Sequence, residues 1–214
     1  MHTIYVFSGL GVDRRVFDAI DFRGLAVEFI PWIKPIKGET LRDYAQRIVV
    51  YMPDDNPILL GLSFGGMLAT EIAKIKPVRK LVLIASAENR EELPFICRLL
   101  GKYNLHKLIP TDFLKQSNSV SQWFFGCSQP SEKKLLKDIL ADTDKEFLVW
   151  AIDAMLKWKT IESVKNVIRI HGTRDRIIPL NSIKTTYIIE GGGHFMTVSH
   201  AKDVEESIHK GINS

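Results

Sequence analysis

Cysteine is scarce in these 214 residues: Cys97 and Cys127 are the only two. Two thiols cannot make the disulfide framework of a small secreted scaffold, and neither stands at a metal-ligand spacing, so a reduced, cytoplasmic protein is expected. Long apolar runs are missing as well. No stretch approaches the ~18 residues that cross a bilayer. The opening MHTIYVFSGLG has no basic segment ahead of its apolar residues and no small-residue cleavage site, so it reads as a strand rather than a leader. Charge of one sign is thin. The 29 Lys and Arg exceed the 25 Asp and Glu by +4, spread as +2, +1 and +1 over residues 1–87, 88–165 and 166–214. Lys133, Lys134 and Lys137 lie beside Glu132 and Asp138, as on a solvated helix face. Nucleic-acid binding needs clustered positive charge, so neither a nucleic-acid nor a membrane partner is expected.

What is present is the composition of a globular chain, 45% hydrophobic and 25% charged, long enough for one core with an insertion. Residues 1–87 alternate strand and helix signals. Extended runs at Thr3–Phe7 and Leu25–Ile30 precede a helical spacing of Leu41, Ala45, Ile48 and Val49, with Thr40 as its N-cap. A strand from Pro57 to Leu60 enters Gly61, a helix follows over Phe64–Ile75, and Arg79–Ala85 is an almost unbroken apolar run. Such a run suits a parallel strand buried on both faces. Residues 88–160 carry no strand pattern. Leu135, Leu136, Ile139 and Leu140 form one helical stripe, and Phe147, Leu148, Ala151, Ile152, Met155 and Leu156 form another. Strands return at Val167–Ile170 and Thr185–Ile189, and a helix over Ser199–Ile212 closes the chain. Strands separated by helices predict an α/β fold with a mostly parallel sheet and a helical insertion.

The strongest chemical signal is Gly61-Leu62-Ser63-Phe64-Gly65-Gly66, set between an apolar strand and a helix. G-x-S-x-G in that setting places a serine on a sharp strained turn, its hydroxyl exposed at the sheet edge beside a helix N-terminus. The competing reading is a glycine-rich turn whose serine merely caps the helix. A serine hydroxyl is a weak nucleophile and needs a base, which needs an orienting acid. Two downstream loops supply both, in the order Ser, Asp, His. Asp175 lies in HGTRDRIIP after the Val167–Ile170 strand, and His194 lies in GGGHF after the Thr185–Ile189 strand. Parallel strands bring such loops to one edge. Glu88, just beyond the Arg79–Ala85 strand, is a lesser candidate for the acid, and His171 is expected to shape the turn before Asp175. The pair Gly9 and Gly11 does not complete a dinucleotide fingerprint, since Arg14 occupies the third glycine position.

On GLSFGG, HGTRDRIIP and GGGHF the chain resembles the α/β-hydrolase superfamily. The resemblance covers residues 1–87 and 160–214 as the core, with a reduced number of strands, and it places 88–159 where that superfamily inserts a variable helical cap. It implies Ser63 as nucleophile, His194 as general base and then acid, and Asp175 as the group that orients the imidazole. It also implies an oxyanion hole from the backbone amides of Phe64 and Leu10, the latter in a loop, Ser8-Gly9-Leu10-Gly11, where Ser8 replaces the usual histidine. The activity implied is cofactor-free hydrolysis of carboxylic esters with small to medium acyl groups. Thioesterase, carbon–carbon hydrolase, lyase or acyltransferase chemistry on the same residues, or a non-catalytic ligand-binding role, are the alternatives. The aromatic-rich insertion, with Trp123, Phe124, Phe125, Phe147, Trp150 and Trp158, is expected to pack on the core and partly to line a pocket over Ser63.

Overall fold

The β-branched and aromatic runs form one sheet in a computed structural model that describes residues 2–108 and 110–213. Its strands are β1 (Thr3–Phe7), β2 (Ala26–Phe29), β3 (Ile58–Leu62), β4 (Lys80–Ile84), β5 (Val167–Gly172) and β6 (Tyr187–Ile189). They lie in the order β2-β1-β3-β4-β5-β6, and every pairing is parallel. Successive side chains alternate faces, so β1 sends Tyr5 and Phe7 into one core cluster and Ile4 and Val6 into the other. Both clusters are covered, which is why β3 and β4 read as continuous apolar runs.

The helices are α1 (Leu41–Ile48), α2 (Phe64–Ala73), α3 (Phe95–Lys102), α4 (Thr111–Leu114), α5 (Ser119–Phe125), α6 (Pro130–Asp142), α7 (Lys145–Leu156), α8 (Met196–Ser199) and α9 (Ala201–Asn213). Thr40 caps α1 as expected. Its hydroxyl accepts from the Asp43 N–H at 3.2 Å, and the Asp43 carboxylate accepts from the Thr40 N–H in return. The helical spacing read through Val49 ends as α-helix at Ile48, and the chain tightens into a 3₁₀ turn over Val49–Tyr51. The closing helix is broken at His200, whose non-helical backbone (φ −131°, ψ 39°) separates α8 from α9. Among the described residues, 88–160 holds no strand. Leu136, Ile139 and Leu140 of α6 join Val12 and Val16 in one core cluster, while Phe147 and Ala151 of α7 join Tyr44 and Phe64 in the other. No helix among the described residues is long and apolar enough to cross a membrane.

The strand order fixes where a site can form. From β1 the chain crosses to β2 on one side, and all later strands are added on the other side, beyond β3. The loops leaving β1 and β3 therefore diverge and open a crevice at the carboxyl ends of these strands. Residues 8–11 and Ser63 stand at that crevice.

Candidate active site

Ser63 sits at the turn between β3 and α2 with φ +52° and ψ −121°, a left-handed conformation that costs a non-glycine residue about 1–3 kcal/mol. Several contacts hold it there. The Ser63 N–H donates to the Ile84 carbonyl at 2.9 Å, and the Ser86 hydroxyl donates to the Ser63 carbonyl at 2.6 Å. The glycines around it leave no alternative. A Cβ on Gly65 would lie 2.1 Å from the Ser8 carbonyl oxygen, and one on Gly61 would lie 2.4 Å from the Gly66 Cα. Backbone meets backbone at both places, so neither neighbour can give way.

Asp175 follows β5 and is buried. Its Oδ1 accepts from the Ile177 and Ile178 amides, each at 2.9 Å, and its Oδ2 lies 2.8 Å from His194 Nδ1. A carboxylate only accepts, so Nδ1 carries the imidazole proton and Nε2 is left as an acceptor. Nε2 stands 2.8 Å from Ser63 Oγ, aligned to receive the hydroxyl proton. Burial alone would raise the Asp175 pKa. The charge and hydrogen bond of His194, with the Ile178 amide and His171, outweigh it and hold the carboxyl below its ordinary range. His171 shapes this turn as expected: its buried Nε2–H donates to the Ile178 carbonyl at 2.7 Å, and burial lowers its pKa.

The β1 loop approaches the serine from the other side. A Cβ on Gly9 would stand 3.3 Å from Ser63 Cβ. The amides of Leu10 and Phe64 donate no hydrogen bond to an acceptor among the described residues, and Phe64 is the first residue of α2, where the helix leaves N–H groups unpaired. Ser8 is buried, and its hydroxyl accepts from the Trp32 indole N–H at 3.0 Å. Trp32 in turn packs on Phe64 and Phe147, with ring centroids 5.7 and 4.8 Å apart.

A cavity of about 80 Å³ lies over Ser63 and His194, walled by Leu10, Val12, Phe125, Met155, Ile177 and Phe195. Residues 88–160 supply two of these, Phe125 from α5 and Met155 from α7. The other insertion aromatics divide. Phe147 and Trp150 stack around Phe64 and Tyr44, Trp158 donates its indole N–H to the buried Glu71 carboxylate at 2.7 Å, and Trp123 and Phe124 are exposed. A larger cavity, about 940 Å³ and lined by residues that include Lys34 and Asp153, shares no residue with the Ser63 site.

Glu88 plays no part here. Its carboxylate accepts from the Val164 amide at 2.7 Å and from Arg169 at 3.3 Å, in a buried group completed by Glu92. Burial pushes the Cys127 thiol up to about 12, and the Cys97 thiol is raised for the same reason, so neither is a thiolate near neutral pH. Sequence reasoning missed Ser86 and Trp32, since a lone serine after a strand and a tryptophan in a loop carry no pattern.

A profile of the alpha/beta hydrolase family matches residues 3–207, and the chain belongs to that family. Among solved structures, the fold is similar to the enol-lactonase from Burkholderia xenovorans LB400 (TM-score 0.76, 14% identity, covering 100% of this chain and 92% of that one). It is also similar to an esterase from Exiguobacterium antarcticum (0.73, 18%, 100% and 92%) and to a bromoperoxidase from Bacillus anthracis (0.71, 16%, 100% and 92%). At such identities the likeness shows the fold. No curated protein matches the chain in sequence.

Proposed function

We propose that the protein is a serine hydrolase that cleaves carboxylic esters of small acyl groups, with Ser63, His194 and Asp175 as its catalytic residues. The observation that carries this reading is the continuous chain Ser63 Oγ–His194 Nε2 and His194 Nδ1–Asp175 Oδ2, both at 2.8 Å, ending on a strained serine. Ser63 Oγ attacks the ester carbonyl while His194 takes its proton, and Asp175 stabilises the imidazolium that forms. The tetrahedral oxyanion falls to the Leu10 and Phe64 amides. One such donor is worth about 2.7–4 kcal/mol of barrier. His194 then protonates the leaving alcohol and activates the water that releases the acyl group.

Residues 88–159 serve as the cap, and through Phe125 and Met155 they set the size of the group admitted over Ser63. The narrow apolar cavity supports acyl groups of a few carbons over long chains. Fold and catalytic residues are shared by several reaction types, so substrate profiling decides among thioesterase, carbon–carbon hydrolase, lyase and acyl transfer. Ser63→Ala is expected to lower turnover of p-nitrophenyl acetate and butyrate by about 10⁵–10⁶-fold. Undiminished turnover would overturn the assignment. A fluorophosphonate probe should label the wild type at Ser63; a folded protein that stays unlabelled would point to a ligand-binding role instead.

A further inference from the structure

Another cavity, about 400 Å³, lies behind the histidine loop. Its wall combines the end of α5 with the acid and histidine loops: Gln122, Ser128, Arg174, Arg176, Gly193 and His200 all line it, and no carboxylate does. Arg176 is held in place, its guanidinium 4.5 Å from the centre of the Trp123 ring and donating to the Trp123 carbonyl at 2.7 Å. His200 is fixed by the contact of its Nδ1 with Ser199 Oγ at 2.8 Å, which leaves Nε2 on the side of Gly191. The Arg174 side chain is exposed and has no partner among the described residues. The nearby acids are engaged elsewhere: Glu132 accepts from the Ser128 and Gln129 amides at 2.7 and 3.0 Å, and Glu190 faces Thr173 at 3.5 Å. Gly193 also lines the cavity, and its N–H, which donates to no acceptor among the described residues, is a further free donor there.

We infer that this cavity binds a small oxyanion, the phosphate or carboxylate group of a metabolite, between Arg174 and Arg176. Guanidinium groups match such oxygens two at a time. The volume leaves room for the rest of a small molecule beyond the anionic group. The site is separate from the one over Ser63. The two cavities share no lining residue, and Gly126 and Gly193 close the wall between them, a Cβ on Gly193 standing 3.2 Å from the Gly126 Cα. The Phe195 amide donates to the Phe125 carbonyl across the same seam at 3.0 Å. An occupant would tie the insertion to both loops that carry Asp175 and His194. The inference does not depend on the chemistry at Ser63.

Titration calorimetry of the whole protein with inorganic phosphate and with malonate tests it, with sodium chloride at matched ionic strength as control. Saturable binding at one site per chain is expected for at least one anion, and the tighter of the two identifies the ligand as phosphoryl or carboxylate. Arg174→Gln should weaken it by about tenfold, and Arg174→Gln with Arg176→Gln should abolish it. Since Arg176 also anchors Trp123, thermal unfolding of each variant establishes that it is folded. Failure of both anions to saturate, an equal response to chloride, or unchanged binding in Arg174→Gln would overturn the inference.

Discussion

Asp175 does two things that substitution can separate. It supplies charge beside His194, and it fixes which ring nitrogen holds the proton. Asp175→Asn keeps the shape but can present an N–H to Nδ1, which favours the wrong tautomer. Turnover of the p-nitrophenyl esters should fall by about 10⁴-fold, with KM little changed. The same carboxyl couples stability to pH. Its folded pKa lies below the ordinary 3.8, so its stabilising contribution is present above that value and is lost as pH falls through the folded one. The Tm advantage of wild type over Asp175→Asn should therefore shrink on acidification below 4, as thermal unfolding against pH would show. Gly65 is constrained more simply. Its Cβ would overlap the Ser8 carbonyl at 2.1 Å, and Gly65→Ala should cost more than about 3 kcal/mol or prevent folding, measured by urea unfolding or soluble yield. These residues were legible in the sequence because motif spacing encodes a turn that only certain residues can make. Ser86 was not, because its role depends on which carbonyl the turn leaves beside it.

Among the elements, strands and their order of use were readable, and helix partners were not. An apolar stripe says that one face of a helix is buried; it does not say against what. The stripes of α6 and α7 were plain in residues 130–156, yet the two helices serve opposite core clusters. The expected split of the insertion aromatics into packing and lining groups holds only in outline, since Phe125 alone of the six reaches the cavity and Met155, an unmarked residue of the α7 stripe, joins it. The element-level prediction follows from that wall. Met155→Ala removes the thioether side chain that α7 presents to the cavity, while the core face of α7, formed by Phe147, Ala151 and Ala154, is left intact. The ratio of kcat/KM for p-nitrophenyl octanoate to that for acetate should rise about tenfold. No change in the ratio would place the acyl group elsewhere than under Met155.

At the scale of the molecule, average charge was a poor guide, because +1 over residues 166–214 conceals Arg174 and Arg176 on one wall. It also conceals Arg169, which sits on β5 and binds the segment that follows β4. Glu88 and Glu92 lie where the chain leaves β4, and Arg169 bonds both, its Nη1 reaching Glu92 at 2.7 Å and its Nη2 bonding Glu92 as well. Glu88 accepts from Val164 where the chain returns, and the Arg90 amide donates to the Thr160 carbonyl at 2.7 Å. The segments at residues 88–92 and 160–164 are therefore tied to β5 through one buried ionic knot, which is where Glu88, once a candidate acid, finds its role. Buried charges are tolerated only in company. Arg169→Met strands two carboxylates and should destabilise the fold by about 3–5 kcal/mol, whereas adding Glu88→Gln and Glu92→Gln removes the stranded charge and should recover most of the loss. Urea unfolding of the three proteins decides the matter. If the single and triple variants are equally unstable, the guanidinium acts through packing rather than charge, and the two ends of the insertion are held by the Val164 and Thr160 contacts alone.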